Sequence, residues 1–235
     1  MDSIKLIVVG ETNVGKTSII SQYINNTFSE EYSMTMNSDK LMKDIELSNG
    51  SKINIEIWDT IGQSNYRIIN NIFMKNTKIA LLVYDITDHN SFDILNEFYK
   101  QVIEVNEKEN IFFAVAGNKS DKYEEQVVSK EEGEEYAKSI NALFFETSAT
   151  DHECIENLFK IVVFEYLKSI IKTNKEKFDK NQFKNNKMIN NNKSHNKNII
   201  DEEIIEIALK EDKEKNENNK SFKIKYKKRK KQSCC

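Results

Sequence analysis

The sequence predicts a doubly wound α/β fold whose mostly parallel sheet has six strands, one of them an antiparallel strand at the edge. Two observations support this fold class. Apolar runs of strand length alternate with segments of helical spacing over residues 1–171, the order produced when helices connect parallel strands. The pair Asn49-Gly50 then separates two strand-like segments, and this pair is typical of a hairpin, which joins antiparallel strands.

Strands are predicted where apolar residues either fill a short run or alternate with polar residues. Ile4–Val9 is almost entirely apolar, as in a parallel strand that is buried on both faces. Ile53, Ile55 and Ile57 alternate with polar residues, as in a strand with one solvated face. The six predicted strands cover residues 4–9, 40–47, 52–58, 78–84, 111–116 and 143–145.

Helices are predicted where apolar residues recur every three or four positions. Ile19, Ile20 and Tyr23 fall on one face of the first of these segments. Ser129 followed by Glu132 indicates a capping box at the start of another. The predicted helices cover residues 16–26, 91–105, 129–139 and 151–170, and residues 27–37 are predicted to form a loop.

Charge divides the chain into two parts. Residues 1–171 contain 16 basic and 28 acidic side chains, whereas residues 172–235 contain 19 basic and 10 acidic ones. We predict a folded domain over 1–171 and a flexible tail over 172–235, because the tail has too few large apolar residues for a core. The acidic body argues against nucleic-acid binding, and the basic tail favours an anionic surface as its partner.

The sequence shows no signal for export. It has no basic segment leading into an apolar stretch at its start, and no run of 18 apolar residues. We therefore expect the chain to be made and kept in the cytosol. The three cysteines are Cys154, Cys234 and Cys235, and their positions do not imply a disulfide framework.

The main candidate site is a glycine-containing segment between the first predicted strand and the first predicted helix. Gly10 and Gly15 allow backbone N–H groups to converge on one anion at the start of a helix, whose dipole also favours negative charge. Lys16 adds a charge for the β- and γ-phosphates of a nucleotide, and Thr17 adds a hydroxyl for Mg²⁺. The alternative is an ordinary turn in which Lys16 and Thr17 have no role. Alone, the segment predicts a nucleotide site and leaves the base open.

Polar residues also follow the third predicted strand. In doubly wound folds the ligand binds beyond the carboxyl ends of the strands, so this position is informative. Asp59 could hold Mg²⁺ through water, the N–H of Gly62 could reach a γ-phosphate, and Gln63 could orient an attacking water. An ordinary strand-to-loop turn is the alternative, and the phosphate loop beside it makes that alternative weaker.

Two further strand ends carry a pattern for base recognition. The segment 118–121 follows the fifth predicted strand, and 147–149 follows the sixth. The carboxylate of Asp121 could accept hydrogens from N1 and the exocyclic amine of guanine, whereas adenine has an acceptor at N1 and lacks that amine. A backbone N–H in 147–149 could meet guanine O6. Taken together, the segments predict GTP rather than ATP as the ligand.

In these segments the chain resembles the Ras superfamily, and within it the Rab branch, over roughly residues 4–171. The resemblance implies a P-loop NTPase fold of small G-protein type that switches between GTP and GDP and uses Mg²⁺. It is carried by GETNVGKTS at 10–18, WDTIGQ at 58–63, LLVYDIT at 81–87, GNKSD at 117–121 and ETSA at 146–149, with Phe28, Tyr32, Thr35, Tyr66-Arg67 and Cys234-Cys235.

The resemblance implies a role for each matching position. Phe28 would lie against the base, Thr35 would close over Mg²⁺ and the γ-phosphate only in the GTP state, and Gln63 would be the catalytic residue. The metal would be held by Thr17, Thr35 and Asp59. The nucleotide would be bound by Gly10, Thr12, Asn13, Val14, Gly15, Lys16, Thr17, Ser18, Phe28, Tyr32, Thr35, Gly62, Asn118, Lys119, Asp121, Ser148 and Ala149.

Residues 30–40 and 61–76 would be switches I and II, which recruit effectors in membrane traffic. Ile61 stands where the family usually has alanine, so the alternative is a slowly or non-hydrolysing, GTP-bound module that only recruits effectors. The chain has two arginines, Arg67 and Arg229, and neither lies in switch I. We therefore expect slow intrinsic hydrolysis and a trans-acting activator that accelerates it about 10³- to 10⁵-fold.

The tail has the features of a membrane anchor. Residues 222–231 contain seven basic side chains, each worth about 1 kcal/mol near an anionic membrane, although such a run could also be a nuclear signal or a solubilising segment. Cys234 and Cys235 favour the membrane, because they match Rab prenylation sites and stable anchoring needs two chains or one chain plus basic residues. The helical spacing of 199–210 predicts either a surface helix or a docking segment for the prenylation escort protein.

The resemblance also implies partners and a location. The expected partners are an exchange factor, a GTPase-activating protein, a GDP-dissociation inhibitor and the prenylation escort protein. The expected location is the cytosol and the cytoplasmic face of an endosomal or Golgi-type membrane, which the chain would reach through a prenyl anchor.

Overall fold

The computed structural model describes residues 3–29, 40–46, 52–60, 67–106 and 110–185. They form a six-stranded sheet in the order β2-β3-β1-β4-β5-β6. The neighbouring pairs that contain β1, β4 or β5 are parallel, and β2 is the antiparallel strand at one edge. The predicted doubly wound α/β fold is therefore confirmed.

The strands lie close to where the sequence predicts them, and most differ by one or two residues at an end. They are β1 (Ile4–Val9), β2 (Lys40–Glu46), β3 (Lys52–Asp59), β4 (Ile79–Asp85), β5 (Phe112–Asn118) and β6 (Leu143–Glu146). The helices are α1 (Lys16–Asn25), α2 (Arg67–Met74), α3 (His89–Asp93), α4 (Leu95–Val105), α5 (Lys130–Ser139) and α6 (His152–Asn185), with a 3₁₀ helix at Ser120–Glu125.

The centre of the sheet is the core of the protein. All seven residues of β4 are buried, as are all of β1 except Lys5. This burial explains why both strands are almost continuous in apolar residues, since helices cover both faces of a parallel sheet. Aromatic side chains extend the packing: the rings of Tyr23 on α1 and Phe159 on α6 stack with their centroids 4.0 Å apart.

Strand register places the site residues side by side. Val8 of β1 lies opposite Asp59 at the end of β3, and Asp85 of β4 lies opposite Asn118 at the end of β5. Both pairs are at the carboxyl ends of parallel strands, where loops from neighbouring strands converge. The register thus brings residues that are far apart in sequence to one edge of the sheet.

The helices differ from the prediction more than the strands do, and α2 and the 3₁₀ helix at Ser120–Glu125 were not predicted. The predicted helix over 91–105 is two helices, α3 and α4, which meet at Ile94. The first begins two residues early because the side chain of Asp88 accepts a hydrogen bond from the N–H of Asn90, as helix-capping residues do.

The last helix runs further than the sequence predicts. Residues 172–185, predicted to belong to the flexible tail, continue α6 as far as Asn185. The sparse apolar residues on which the prediction rested do not stop a helix that is already formed, because each added residue then contributes a hydrogen bond without a new nucleation cost. This segment also contains no glycine or proline, the two residues that interrupt helices most strongly. The division into a domain over 1–171 and a tail over 172–235 stays a prediction.

Candidate functional site

The candidate site lies at the carboxyl edge of the sheet, where the loops after β1, β5 and β6 meet beside the end of β3. The segment between β1 and α1 contains its two special glycines. Gly10 has φ +152° and Gly15 has φ +95°, and such positive values are unfavourable for other residues. A side chain on Gly10 would overlap the backbone oxygen of Val83, and one on Gly15 would overlap the amide nitrogen of Asn118. The segment therefore curls so closely that only glycine fits at these two positions.

Lys16 lies inside this curl rather than in solvent. Its side chain is buried, and its Nζ donates to the backbone oxygens of Gly10, at 3.0 Å, and Glu11, at 2.8 Å. Burial lowers the pKa of Lys16 to about 8, and the negative charges of Asp59 and Glu11 oppose that shift. A positive charge is thus held within the loop that leads into α1, and the N–H groups that begin this helix would also attract an anionic ligand.

Thr17 and Asp59 supply two oxygen donors next to this charge. The hydroxyl of Thr17 donates to Oδ2 of Asp59 at 2.6 Å. A hydroxyl and a carboxylate are the hard oxygen ligands that Mg²⁺ prefers in nucleotide sites, with the remaining positions taken by water and phosphate. No cluster of three or more His, Cys, Asp or Glu side chains that could hold a metal occurs among the described residues. This pair fits a magnesium ion that is also bound by a phosphate.

A further observation fits an anionic ligand. The hydroxyl of Thr12 is buried and has no hydrogen-bond partner within the described part of the chain. Buried hydroxyls are normally satisfied, and a phosphate oxygen is an acceptor that could satisfy this one. The residues present therefore fit a nucleoside phosphate with Mg²⁺.

Asn118 connects the phosphate loop to the other two strand ends. Its Nδ2 donates to the backbone oxygen of Val14 at 2.8 Å, and its Oδ1 accepts from the hydroxyl of Thr147 at 3.3 Å. The side chain is almost fully buried, at 1% exposure. It fixes the spacing between the loop that would hold phosphates and the loops that would hold a base.

Asp121 lies in the first turn of the 3₁₀ helix Ser120–Glu125. Its carboxylate accepts a hydrogen bond from the hydroxyl of Ser148, and the N–H of Ser120 donates to the backbone oxygen of Thr147 at 2.9 Å. The loops after β5 and β6 are thus joined through both backbone and side chain. This arrangement holds an exposed carboxylate beside the buried Asn118.

Asp85 also lies in the candidate site, although the sequence analysis assigned it no role. It ends β4, and its Oδ2 lies 2.6 Å from Nζ of Lys119. Its position in the sequence could have indicated a role. Asp85 is the polar residue at the carboxyl end of β4, and β4 is the central strand for which no site residue was predicted.

The remaining predicted site residues divide into those described and those outside. Phe28 follows α1 with 42% of its surface exposed, Val14 and Ala149 are buried, and Ser18 lies in the first turn of α1. Asn13 has a positive φ of 66°. The predicted residues Tyr32, Thr35, Gly62, Gln63, Cys234 and Cys235, together with Ile61 and the segment 199–210, lie outside the described residues.

The fold and these loops define a P-loop nucleotide-binding protein of the doubly wound type. A family model described as "Ras family" matches residues 5–168. The chain belongs to the Ras superfamily of small GTPases, and its relatives make it a Rab-type member.

Three relatives show the extent of the likeness. Ras-related protein RabQ of Dictyostelium discoideum is 40% identical over 169 residues, which are 72% of this chain and 81% of RabQ. Ras-related protein Rab-21 of Homo sapiens is 36% identical over 157 residues, 67% of this chain and 69% of Rab-21. Ras-related protein Rab-7b of Paramecium octaurelia is 34% identical over 160 residues, 66% of this chain and 77% of that protein.

In the described ranges, no helix combines the length and the apolar character needed to cross a bilayer.

Proposed function

We propose that this chain is a regulated switch that binds GTP or GDP, hydrolyses GTP to GDP and phosphate, and recruits effectors in vesicle and membrane traffic while GTP is bound. The family supports the general part of this statement, a Rab-like GTPase of membrane traffic. The guanine specificity, the switch cycle and the roles of individual residues are our proposal.

The observation that carries the proposal is the bridge formed by Asn118. The same side chain contacts the backbone of the phosphate loop at Val14 and the loop after β6 at Thr147. The next loop residues bring the carboxylate of Asp121 to Ser148. A carboxylate at this position would accept the N1 and amine hydrogens of guanine, and adenine would leave it with an unpaired charge, which is strongly unfavourable.

The phosphate end of the site supports binding of a triphosphate. Lys16 and the N–H groups at the start of α1 would bind the phosphates, and the oxygens of Thr17 and Asp59 would hold Mg²⁺. The ion would supply positive charge that stabilises the negative charge developing on the phosphate oxygens. We assign Thr35 as a further metal ligand and Tyr32 and Gly62 as nucleotide contacts on sequence grounds alone.

Hydrolysis would depend on Gln63, which would orient the attacking water. Arg67 begins α2 and the other arginine, Arg229, is in the tail, so neither supplies a positive charge from switch I. An activator that inserts its own charge would therefore be needed for fast turnover. An exchange factor would be needed to release GDP, and effectors would bind residues 30–40 and 61–76.

Membrane attachment would depend on the tail. Prenylation of Cys234 and Cys235 by way of an escort protein, together with the basic residues of 222–231, would hold the chain on an anionic intracellular membrane. A GDP-dissociation inhibitor would extract it to the cytosol.

The test is competition of unlabelled GDP, ADP and XDP against labelled GDP, on the wild type and on Asp121→Asn. We expect wild type to bind GDP far more tightly than ADP, and Asp121→Asn to shift its preference toward XDP, because an amide offers a donor to the second carbonyl of xanthine. The control is Asp93→Asn, the same change at an exposed position of α3, which should behave as wild type. An unchanged preference in Asp121→Asn would remove the argument for base recognition.

A further inference from the structure

Asp85 and Lys119 form an ion pair at the edge of the base site. The Oδ2–Nζ distance is 2.6 Å, and the two side chains are 8% and 23% exposed. An ion pair this far removed from solvent is weakly screened, and removing one partner leaves the other charge poorly solvated. The pair is therefore an energetically important contact of the site.

The carboxylate of Asp85 is fixed independently of Lys119. Its second oxygen, Oδ1, accepts from the N–H of Thr87 at 2.9 Å and from the hydroxyl of Thr87 at 2.7 Å. The backbone N–H of Asp85 donates to the hydroxyl of Ser91 at 3.0 Å. Thr87 thus bonds the carboxylate of Asp85, and Ser91 of α3 bonds its backbone, so the end of β4 presents an anion to the loop after β5.

Lys119 is where the chain turns from β5 into the 3₁₀ helix. Its backbone is left-handed, with φ 65° and ψ 34°, a conformation that is uncommon and costly for a residue other than glycine. Its backbone oxygen accepts from the N–H of Lys122 at 2.9 Å. The turn sets the direction of the next two residues, Ser120 and Asp121, which contact the loop after β6.

We propose that Asp85 is a positioning residue for guanine recognition: by binding the ammonium of Lys119 it stabilises the left-handed turn that aims Asp121 at the base. The inference rests on the proposed guanine site, which it deepens by adding a residue that does not itself touch the nucleotide. Asp85 thereby determines specificity through Lys119.

The test is Asp85→Asn, which keeps the shape of the side chain and removes its charge. We expect GDP to dissociate about tenfold faster or more, the effect of losing a hydrogen bond to a charged group. We also expect a smaller preference for GDP over IDP, because hypoxanthine lacks the exocyclic amine that a correctly aimed Asp121 accepts. A purely structural role for Asp85 would lower the melting temperature and leave the GDP-to-IDP ratio unchanged, and that result overturns the proposal.

Two further variants isolate the ion pair. Lys119→Met should itself speed GDP release, and Asp85→Asn in that background should add little, because their contact is already lost. Full additivity of the two changes contradicts the proposal. Asp88→Asn is the matched control, since it removes a charge from the same loop at a carboxylate that caps α3 instead, and it should leave the release rate unchanged.

A milder variant covers the case in which Asp85→Asn does not fold. Thr87→Val removes one of the two hydrogen bonds to Oδ1 of Asp85, so the carboxylate that binds Lys119 is held less firmly although the ion pair itself remains. GDP release should therefore accelerate about two- to fivefold, and the GDP-to-IDP ratio should shift in the same direction as in Asp85→Asn. No change in either quantity contradicts the proposal. If the wild type does not bind GDP in preference to ADP, the proposed function is wrong. If the wild type shows that preference and Asp85→Asn has the same GDP release rate and the same GDP-to-IDP ratio as wild type, only this inference is wrong.

Discussion

At the scale of single residues, the phosphate loop depends on two positions where no side chain fits. Gly15 is the more informative of the two, because the atom that blocks it is the amide nitrogen of Asn118. That same nitrogen forms the hydrogen bond to Val14. The absence of a side chain at Gly15 is thus required for the contact that links the phosphate and base loops.

Gly15→Ala should therefore abolish useful nucleotide binding. The added methyl group would displace the side chain of Asn118, and the loop would force alanine into a strained backbone conformation at φ +95°. We expect the displacement and the strain together to lower GDP affinity about 100-fold or more. Titration with a fluorescent GDP analogue measures the loss. Gly133→Ala is the matched control: its methyl group would lie 2.5 Å from both the hydroxyl of Tyr84 and the ring of Phe144, so it should destabilise the fold by about 1–3 kcal/mol and change the GDP affinity of the folded protein little. The prediction is wrong if Gly15→Ala binds GDP normally.

Ile61 is the residue on which the alternative of a slowly hydrolysing module depends. A β-branched side chain beside Gly62 would restrict the segment whose N–H is proposed to reach the γ-phosphate. Misplacing Gln63 by about 1 Å could then cost on the order of 10²-fold in rate. We predict that Ile61→Ala hydrolyses GTP faster than wild type when an activator is present, with Gln63→Leu as the inactive reference. Equal rates for wild type and Ile61→Ala would show that isoleucine is tolerated and that the cycle is ordinary.

At the scale of elements, α2 is attached to α4 by buried polar contacts. The amide of Asn106 donates to the backbone oxygens of Met74, at 2.7 Å, and Val102, at 2.9 Å. Its oxygen accepts from the N–H of Thr77 at 3.2 Å. The end of α2, which we expect to belong to switch II, is thus bonded to the end of α4 through the side chain of Asn106.

Asn106→Leu should destabilise the protein by about 2–3 kcal/mol. The substitution removes all three hydrogen bonds and deprives the buried N–H of Thr77 of this acceptor, which costs more than the bonds themselves contribute. Urea unfolding measures the difference. Asn96→Leu, the same change at an exposed position of α4, should shift stability by less than about 0.5 kcal/mol. Similar losses of stability in the two variants would contradict the conclusion that the buried hydrogen bonds of Asn106 stabilise the protein.

The elements also show what sequence patterns can and cannot predict. Strands β1 and β4 were predictable because burial on both faces requires apolar runs, and β3 was predictable because its buried residues alternate with more exposed ones. The capping box at Ser129 and Glu132 was predictable because it is local. Helix α2 was not predicted, since its eight residues are held by contacts such as that of Asn106 with Met74. Short helices depend on such tertiary contacts more than on propensity.

Part of the candidate site could likewise be predicted from the sequence, and part could not. Residues at the ends of strands could be assigned from their position alone, and the described ones do lie at one edge of the sheet. Their pairing could not be predicted, because the contact of Asp85 with Lys119 depends on which strand lies beside β5 and in what register. Periodicity along one strand carries no information about its neighbour.

At the scale of the whole molecule, charge is separated along the chain: acidic side chains exceed basic ones over residues 1–171, and a basic segment with Cys234 and Cys235 follows in the predicted tail. The function proposed for that tail is tested by changing Cys234 and Cys235 to serine. We expect the double variant to bind GDP normally and to lose membrane partitioning in a flotation assay, because the basic residues alone supply only an electrostatic, salt-sensitive attraction.

Cys154→Ser provides the control, since Cys154 lies in α6 of the folded domain and should not affect partitioning. Neutralising the seven basic residues of 222–231 should weaken membrane binding and preserve prenylation. Membrane association that survives loss of both terminal cysteines would refute the lipid anchor.

The hydrogen bond from Asn118 to Val14 has a consequence for how the protein folds. It joins residues that are 104 positions apart, so it can form only after β1, β4 and β5 have been brought into register across most of the domain. Contacts between residues so far apart in sequence form late, because closing the long intervening loop costs conformational entropy before the contact contributes any stabilisation. Asn118 and Asp121 also bond to Thr147 and Ser148, so the proposed nucleotide site would not be complete during synthesis until the residues after β6 had emerged. Nucleotide capture would then mark the completion of folding, and a stalled or truncated chain would remain unable to hold GDP.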